Sequence, residues 1–364
     1  MKILSSFSGR AAKWLNASKA ASASRQSNQI HSAIGLDIGN TSLTIVQLSM
    51  AQNKIVLEKA EHESLKPDIP LSAQIKNLFL TAGIAEKKVC ISMKGHGVIL
   101  RFISFPKMPR EEFESAIQYE AEKYIPFSMS EVVLDFHIVD SAKQATAPTK
   151  NMDVILVAAR KQEVMKLIST IQGAELQPTA VDVDAIAFAN AFVQTTQETK
   201  EKTSVLIDFG SRNTNINVLE RGVLRFSRDI SLGGADITAF LIKKLGLNEI
   251  DAYKVQTKKA WDDPAQEQAL KASFSAMIQE IKLSLNYFQS QHQDIEAPSS
   301  IYVSGGVSQI DLLRSTLEQE AGIKVFQWNP LDKIQPSVNM DREKLKILQP
   351  FLPVAIGLAL RGEK

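Results

Sequence analysis

Two segments of the chain repeat one pattern, and that repeat restricts what the chain can fold into. Ile34-Gly35-Leu36-Asp37-Ile38-Gly39-Asn40-Thr41-Ser42 returns in form as Val205-Leu206-Ile207-Asp208-Phe209-Gly210-Ser211-Arg212-Asn213-Thr214. Each copy runs from an apolar strand through Asp-x-Gly and a small polar turn into a second strand of alternating residues, the pattern of a hairpin. Glycine lets backbone approach a phosphate closely, the turn's N–H groups and hydroxyls can face its oxygens, and an Asp at a strand end can hold Mg²⁺ through water. A single such hairpin is ordinary turn chemistry. Two of them, opening successive α/β halves, predict a clamp that grips phosphate from both sides. The candidates are Gly39, Asn40, Thr41 and Ser42 on one side, Gly210, Ser211, Asn213 and Thr214 on the other, with Asp37 and Asp208 as the metal ligands.

A third element follows the second hairpin. Ile301-Tyr302-Val303-Ser304-Gly305-Gly306-Val307-Ser308 carries a strand into Gly-Gly and then into a helix over Asp311 to Glu320. Glycines at such a junction let a base or ribose pack directly on backbone, and a helix N-terminus favours negative charge. Gly305, Gly306 and Ser308 therefore join the nucleotide candidates, and together the three elements point to ATP with Mg²⁺.

The bulk properties fit this reading and exclude others. Lys and Arg total 42 against 40 for Asp and Glu, so a net charge of +2 offers no electrostatic grip on nucleic acid. The lone Cys90 cannot form an internal disulfide or a multi-cysteine metal site, and the five histidines, His31, His62, His96, His137 and His292, show no metal-ligand spacing. The longest apolar runs, such as residues 154 to 159, fall far short of the roughly 18 residues of a spanning helix.

The organisation is α/β throughout, with alternating strand and helix patterns from Ala33 onward. Residues 1–32 are basic and free of acids, and read as a flexible tail. Ile3, Leu4, Phe7, Ala11, Trp14 and Leu15 nevertheless recur at helical spacing, which would suit a helix lying on an anionic membrane surface. A first lobe is expected over 33–95, a small α+β insertion over 96–180, a connecting helix and hinge over 181–200, and a second lobe over 201–364. Within the insertion, the helix from Glu111 to Tyr124 places Phe113, Ile117 and Ala121 on one stripe. After the second hairpin, Gly233-Gly234 starts a turn into a helix whose Ile237, Phe240 and Leu241 are expected to pack inward.

The three turn motifs resemble those of the actin, heat-shock chaperone and sugar-kinase superfamily, which implies a two-lobed actin-like nucleotide-binding fold. Phe105-Pro106-Lys107-Met108-Pro109, Glu120 to Phe127, Leu134-Asp135-Phe136, Glu280 to Phe288, Asn329-Pro330-Leu331 and Ala355 to Arg361 narrow the resemblance to the type IV pilus assembly protein PilM family. That family is also similar to the division protein FtsA. The resemblance implies an ATP-binding cytoplasmic scaffold, peripheral to the inner membrane. It implies docking of the cytoplasmic tail of a PilN-like membrane protein at the insertion and its junction with the first lobe, and a link to the pilus motor ATPases. It also aligns Gly233, Gly234, Asp251 and Lys254 with nucleotide-contacting positions, although Asp251 and Lys254 equally suit a salt-bridged helix face.

Two departures bear on chemistry. Thr44 stands where relatives often carry a lysine, which weakens the expected hold on terminal phosphates, and Val307 replaces a frequent third glycine. Asp182 and Asp184 are the candidates for orienting a hydrolytic water, each of which could instead cap the connecting helix. Binding is therefore expected, with any ATPase activity weak. The alternatives left open are a small-molecule kinase on the same fold and an FtsA-like polymerising protein.

Overall fold

The computed structural model describes residues 32–51, 54–139, 150–196, 202–258, 260–261 and 263–361. The amphipathic stretch expected at Ile3 to Leu15 lies outside these residues.

The first repeat is an antiparallel meander of β1 (Ala33–Ile38), β2 (Ser42–Ala51) and β3 (Lys54–Ser64). Helix α1 (Leu71–Thr81) follows, and β4 (Lys88–Met93) then adds parallel to β1. The chain leaves this sheet through Gly95–Gly97 to form a separate three-stranded sheet from β5 (Val98–Pro106), β6 (Val132–Val139) and β7 (Asn151–Arg160), in the order β5-β7-β6. Helix α2 (Arg110–Glu120) covers one face of it. Phe113 and Ile117 are buried there at helical spacing, and Phe113 meets Phe105 and Phe136 edge-on at 5.0 and 4.8 Å.

The insertion ends earlier than expected. Helix α3 (Lys161–Gly173) buries Val164, Ile168 and Ile171 in one cluster with Ile75, Leu78 and Phe79 of α1, and β8 (Gln177–Val183) pairs in parallel with β4. Residues 161–180 thus belong to the first lobe. An amphipathic helix reads the same whichever sheet it covers, which is why the boundary at 180 is misplaced by sequence alone.

Helix α4 (Asp184–Thr195), apolar around nearly its whole circumference, leads to the second repeat: β9 (Thr203–Phe209), β10 (Thr214–Glu220) and β11 (Val223–Ile230), again an antiparallel meander. Four helices follow, α5 (Gly234–Leu245), α6 (Glu249–Thr257), α7 (Pro264–Ser273) and α8 (Ser275–Gln291). In α5, Ile237 and Leu241 are fully buried as expected, whereas Phe240 is exposed. Strand β12 (Ser300–Ser304) then pairs in parallel with β9, α9 (Asp311–Ala321) crosses over, and β13 (Lys324–Gln327) extends the sheet.

The chain then returns to the first lobe, so the second lobe does not run to residue 364. Strand β14 (Ile334–Pro336) pairs with β3. After α10 (Arg342–Leu348), the last helix, α11 (Pro353–Leu360), is buried along its entire length against β1 and α4. Two glycines permit that contact. A Cβ on Gly35 would stand 2.0 Å from Ala355 O, and one on Gly357 would stand 1.8 Å from Ala187 O.

The completed sheets read β14-β3-β2-β1-β4-β8 and β11-β10-β9-β12-β13. Each is a meander whose first strand gains two further parallel strands on its other side, so the sequence repeat is a repeat of topology. One apolar cluster, built on α4 and α11, draws residues from both sheets and from the insertion.

Candidate functional site

Ligands of open α/β sheets bind beyond the carboxyl ends of parallel strands. Here those ends face each other across a cleft of about 1690 Å³. Asp37 near the end of β1, Lys94 after β4 and Asp184 after β8 line it from the first lobe, and Asp208 of β9 and Gly305 after β12 line it from the second.

The two Asp-x-Gly turns have the same internal geometry. Gly39 N–H donates to Ser42 O at 2.7 Å and Gly210 N–H donates to Asn213 O at 3.0 Å. A Cβ on either glycine would stand 2.8 Å from that same carbonyl oxygen. The turns are thus tight cradles open only to glycine, and Gly39, Asn40, Thr41, Ser42, Gly210, Ser211 and Asn213 all line the cleft. The second turn is braced from behind by α5, whose Gly234 and Ala235 N–H groups donate to Gly210 O and Ser211 O at 3.0 and 2.8 Å. Gly233 serves that bracing, since a Cβ there would lie 2.6 Å from Ser211 backbone.

Asp208 accepts a hydrogen bond from Ser304 Oγ at 3.0 Å. Burial, reinforced by the charge of nearby Asp37, pushes its carboxyl up to about 6. Gly305 follows with φ of +84°, a Cβ there would meet Phe209 O at 2.3 Å, and its N–H donates to Pro350 O at 2.8 Å. The Gly-Gly junction is therefore pinned between β9 and the turn that enters α11.

Lys94 is the site residue that the sequence motifs do not indicate. Its ammonium lies 3.1 Å from Asp37 Oδ1 and 2.8 Å from Asp184 Oδ2. Burial opposes its charge, but the two carboxylates outweigh burial and hold its pKa above the ordinary lysine value. Burial likewise raises the Asp184 carboxyl, against the pull of Lys94. A cation is therefore present in the cleft although position 44 lacks one. Thr44 itself is buried and shares a 2.9 Å hydrogen bond with His62 Nδ1, whose ring stacks on Phe351 at 4.0 Å in the cleft wall. Arg212, within the second turn, is a further cleft-lining cation.

Several candidates stand elsewhere. Thr214 Oγ1 donates to Leu232 O at 2.8 Å, and the buried Ser308 Oγ donates to Gly305 O at 2.7 Å and accepts from Gln327 Nε2 at 3.0 Å, so both hydroxyls are engaged within the protein. Asp182 is buried away from the cleft, with Oδ2 2.7 Å from Arg361 Nη1 and Oδ1 accepting from Val183 N–H. Neither Asp182 nor Asp184 caps α4, whose N-cap residue is Val183. Asp251 pairs with Lys254 at 2.8 Å on the surface of α6, and of the two only Lys254 lines the cleft. Val307 packs toward Gly234, where a third glycine would leave a gap.

Paired lobes of one topology, with a glycine-cradled carboxylate turn on each side of the cleft, define the actin-like ATPase fold. The ethanolamine utilization protein EutJ from Carboxydothermus hydrogenoformans shares the fold at 12% identity, over 91% of this chain and 90% of that one, with a TM-score of 0.50. The family of type IV pilus assembly protein PilM matches residues 35–363, and the chain belongs to that family. A chain of a PilM-PilN type IV pilus biogenesis complex is similar at 28% identity, covering 91% of this chain and 98% of that chain, with a TM-score of 0.79.

Proposed function

We propose that this protein is a nucleotide-binding scaffold of the type IV pilus assembly platform, holding Mg-ATP in the cleft and docking the cytoplasmic tail of a PilN-like membrane protein. The observation that carries the nucleotide reading is the matched pair of glycine-closed turns, each bearing a carboxylate at its strand end. Two carboxylates without a third ligand suit a cation that keeps most of its waters, as Mg²⁺ does, and no three-residue metal cage occurs among the described residues. Asp37 and Asp208 would hold the ion. The turns would supply N–H groups, and Lys94 and Arg212 charge, toward the phosphates. Bound Mg²⁺ contributes neutralisation of phosphate charge.

Docking of a PilN-like tail is supported by the likeness to a chain of a PilM-PilN complex. The insertion and its junction with the first lobe are the proposed receiving surface. No helix among the described residues is long and apolar enough to cross a membrane. Attachment to the inner membrane at its cytoplasmic face is assigned to the PilN-like partner on the strength of that likeness, with the motor ATPases as further neighbours. Holding is preferred to turnover because Asp184, the one catalytic candidate in the cleft, is engaged by Lys94.

Calorimetry tests both halves of the reading. Asp37→Ala or Asp208→Ala should weaken Mg-ATP binding about tenfold or more, the scale of losing a charge-assisted contact. A peptide copying the PilN cytoplasmic tail should bind the wild-type chain. Unchanged nucleotide affinity in both variants would remove the clamp, and absence of peptide binding would remove the scaffold.

A further inference from the structure

Lys94 stands at a junction as well as in the cleft. It follows β4 directly and precedes Gly95–Gly97, the link through which the chain passes from the first sheet into β5 of the insertion. Its ammonium spans Asp37 at 3.1 Å and Asp184 at 2.8 Å, so one side chain ties together the ends of β1 and β4 and the start of α4. The link beyond it is loosely packed at its first residue. Gly95 holds φ of +71° with nothing within 4 Å of a Cβ position, whereas a Cβ on Gly97 would lie 3.2 Å from Glu163 Cγ of α3. A pivot thus separates an anchored cation from an anchored strand.

From Gly97 onward the chain is held firmly. Val98, Leu100 and Phe102 of β5 pack against the cluster that joins both sheets, and β5 is paired with β7 over its whole length. Movement at the pivot would therefore be delivered to the inserted sheet as a unit rather than dissipated in a loop. On the other side, the lysine stem is long and flexible, and its ammonium is a point charge that can exchange one oxygen partner for another. A phosphate group entering between the two turns brings more negative charge than either carboxylate.

We infer that Lys94 is the residue through which occupancy of the cleft is passed to the insertion. It keeps Asp184, trades Asp37 for a phosphate oxygen and, through the Gly95 pivot, resets β5 against the first lobe. This inference rests on the nucleotide reading above. It makes Lys94 a positioning residue for the docking surface in addition to a ligand for phosphate.

Hydrogen–deuterium exchange on the full chain, with and without saturating Mg-ATP, tests it beside a separate nucleotide titration. In the wild type, amides of residues 98–105 should exchange at a different rate once nucleotide is bound. Lys94→Gln, saturated at whatever concentration its own titration requires, should lose that difference, and Lys94→Arg should keep it. Should Lys94→Gln fail to fold, Gly95→Ala, which retains the ammonium but strains the pivot, should also lose the difference. An undiminished response in folded, saturated Lys94→Gln or in Gly95→Ala, or no response in saturated wild type, overturns the inference. Absence of Mg-ATP binding by the wild type in the titration instead overturns the nucleotide reading, and the coupling falls with it.

Discussion

On β6, the Asp135 carboxylate accepts the Phe136 N–H at 2.8 Å through one oxygen, while the other is buried without a hydrogen-bond partner. Burial dominates and raises its pKa to about 6, with the Phe136 N–H and the charges of Arg361 and Arg110 opposing. Because the folded value exceeds the unfolded one, the native state binds more protons between pH ~4 and ~6, and stability falls as pH rises through that window. The cost is complete above pH ~6 and absent below pH ~4. Asp135→Asn should therefore be more stable than wild type at pH 7.5, by about 1–2 kcal/mol once partial solvent screening is allowed for, with the gap closing toward pH 4. Urea midpoints across that range check it, and a pH-independent gap would contradict it. At this scale the sequence is a partial guide. It identifies Asp37, Asp208 and the turn glycines because a repeat exposes them. It does not say that the hydroxyls of Thr214 and Ser308 turn to backbone carbonyls, since a short polar side chain can satisfy either partner. Nor can a local motif reveal Lys94, which meets Asp37 only across 57 positions of chain.

At the scale of elements, the two helices between the sheets decide how closely the layers approach. Helices α4 and α11 cross at Gly357, where a methyl group would fall 1.8 Å from Ala187 O. Backbone rather than a flexible side chain blocks that space, so the neighbours cannot yield locally. Gly357→Ala should cost about 3 kcal/mol or more by forcing the helices apart, toward the upper end of overpacking penalties. A denaturant titration measures it, and a loss below about 1 kcal/mol would show that the helices can slide. The meanders are legible from their alternation and α4 from its length and composition, whereas the 8 apolar residues of α11 read equally as a buried strand. The close approach of the two helices is not legible either, because Gly35 and Gly357 lie in segments where a small residue could equally mark a weak strand or an ordinary helix position.

For the whole molecule, the sequence repeat predicts two lobes in series, and the sheets bear out the repeat while the chain path departs from the series. After completing β13 the chain crosses back, adds β14 beside β3 and wedges α11 between β1 and α4. A fully apolar segment at the chain's end is readable as buried, but nothing local states which lobe buries it. The consequence can be tested by truncation after Gln327, which keeps every strand of the second sheet and lacks, from the first, only the three-residue edge strand β14. Burial of Val354, Ile356, Leu358 and Leu360 alone contributes on the order of 10 kcal/mol. That matches the entire net stability of a typical domain, about 5–15 kcal/mol. Residues 1–327 should consequently lose the fixed packing of the first lobe, seen as collapse of near-ultraviolet circular dichroism with much of the far-ultraviolet signal retained. The second lobe should loosen with it, because the cluster that α11 completes also holds Leu206, Leu219 and Tyr302. A truncated chain that kept a cooperative unfolding transition at the wild-type midpoint would mean that the lobes are self-sufficient and that α11 merely rests between them.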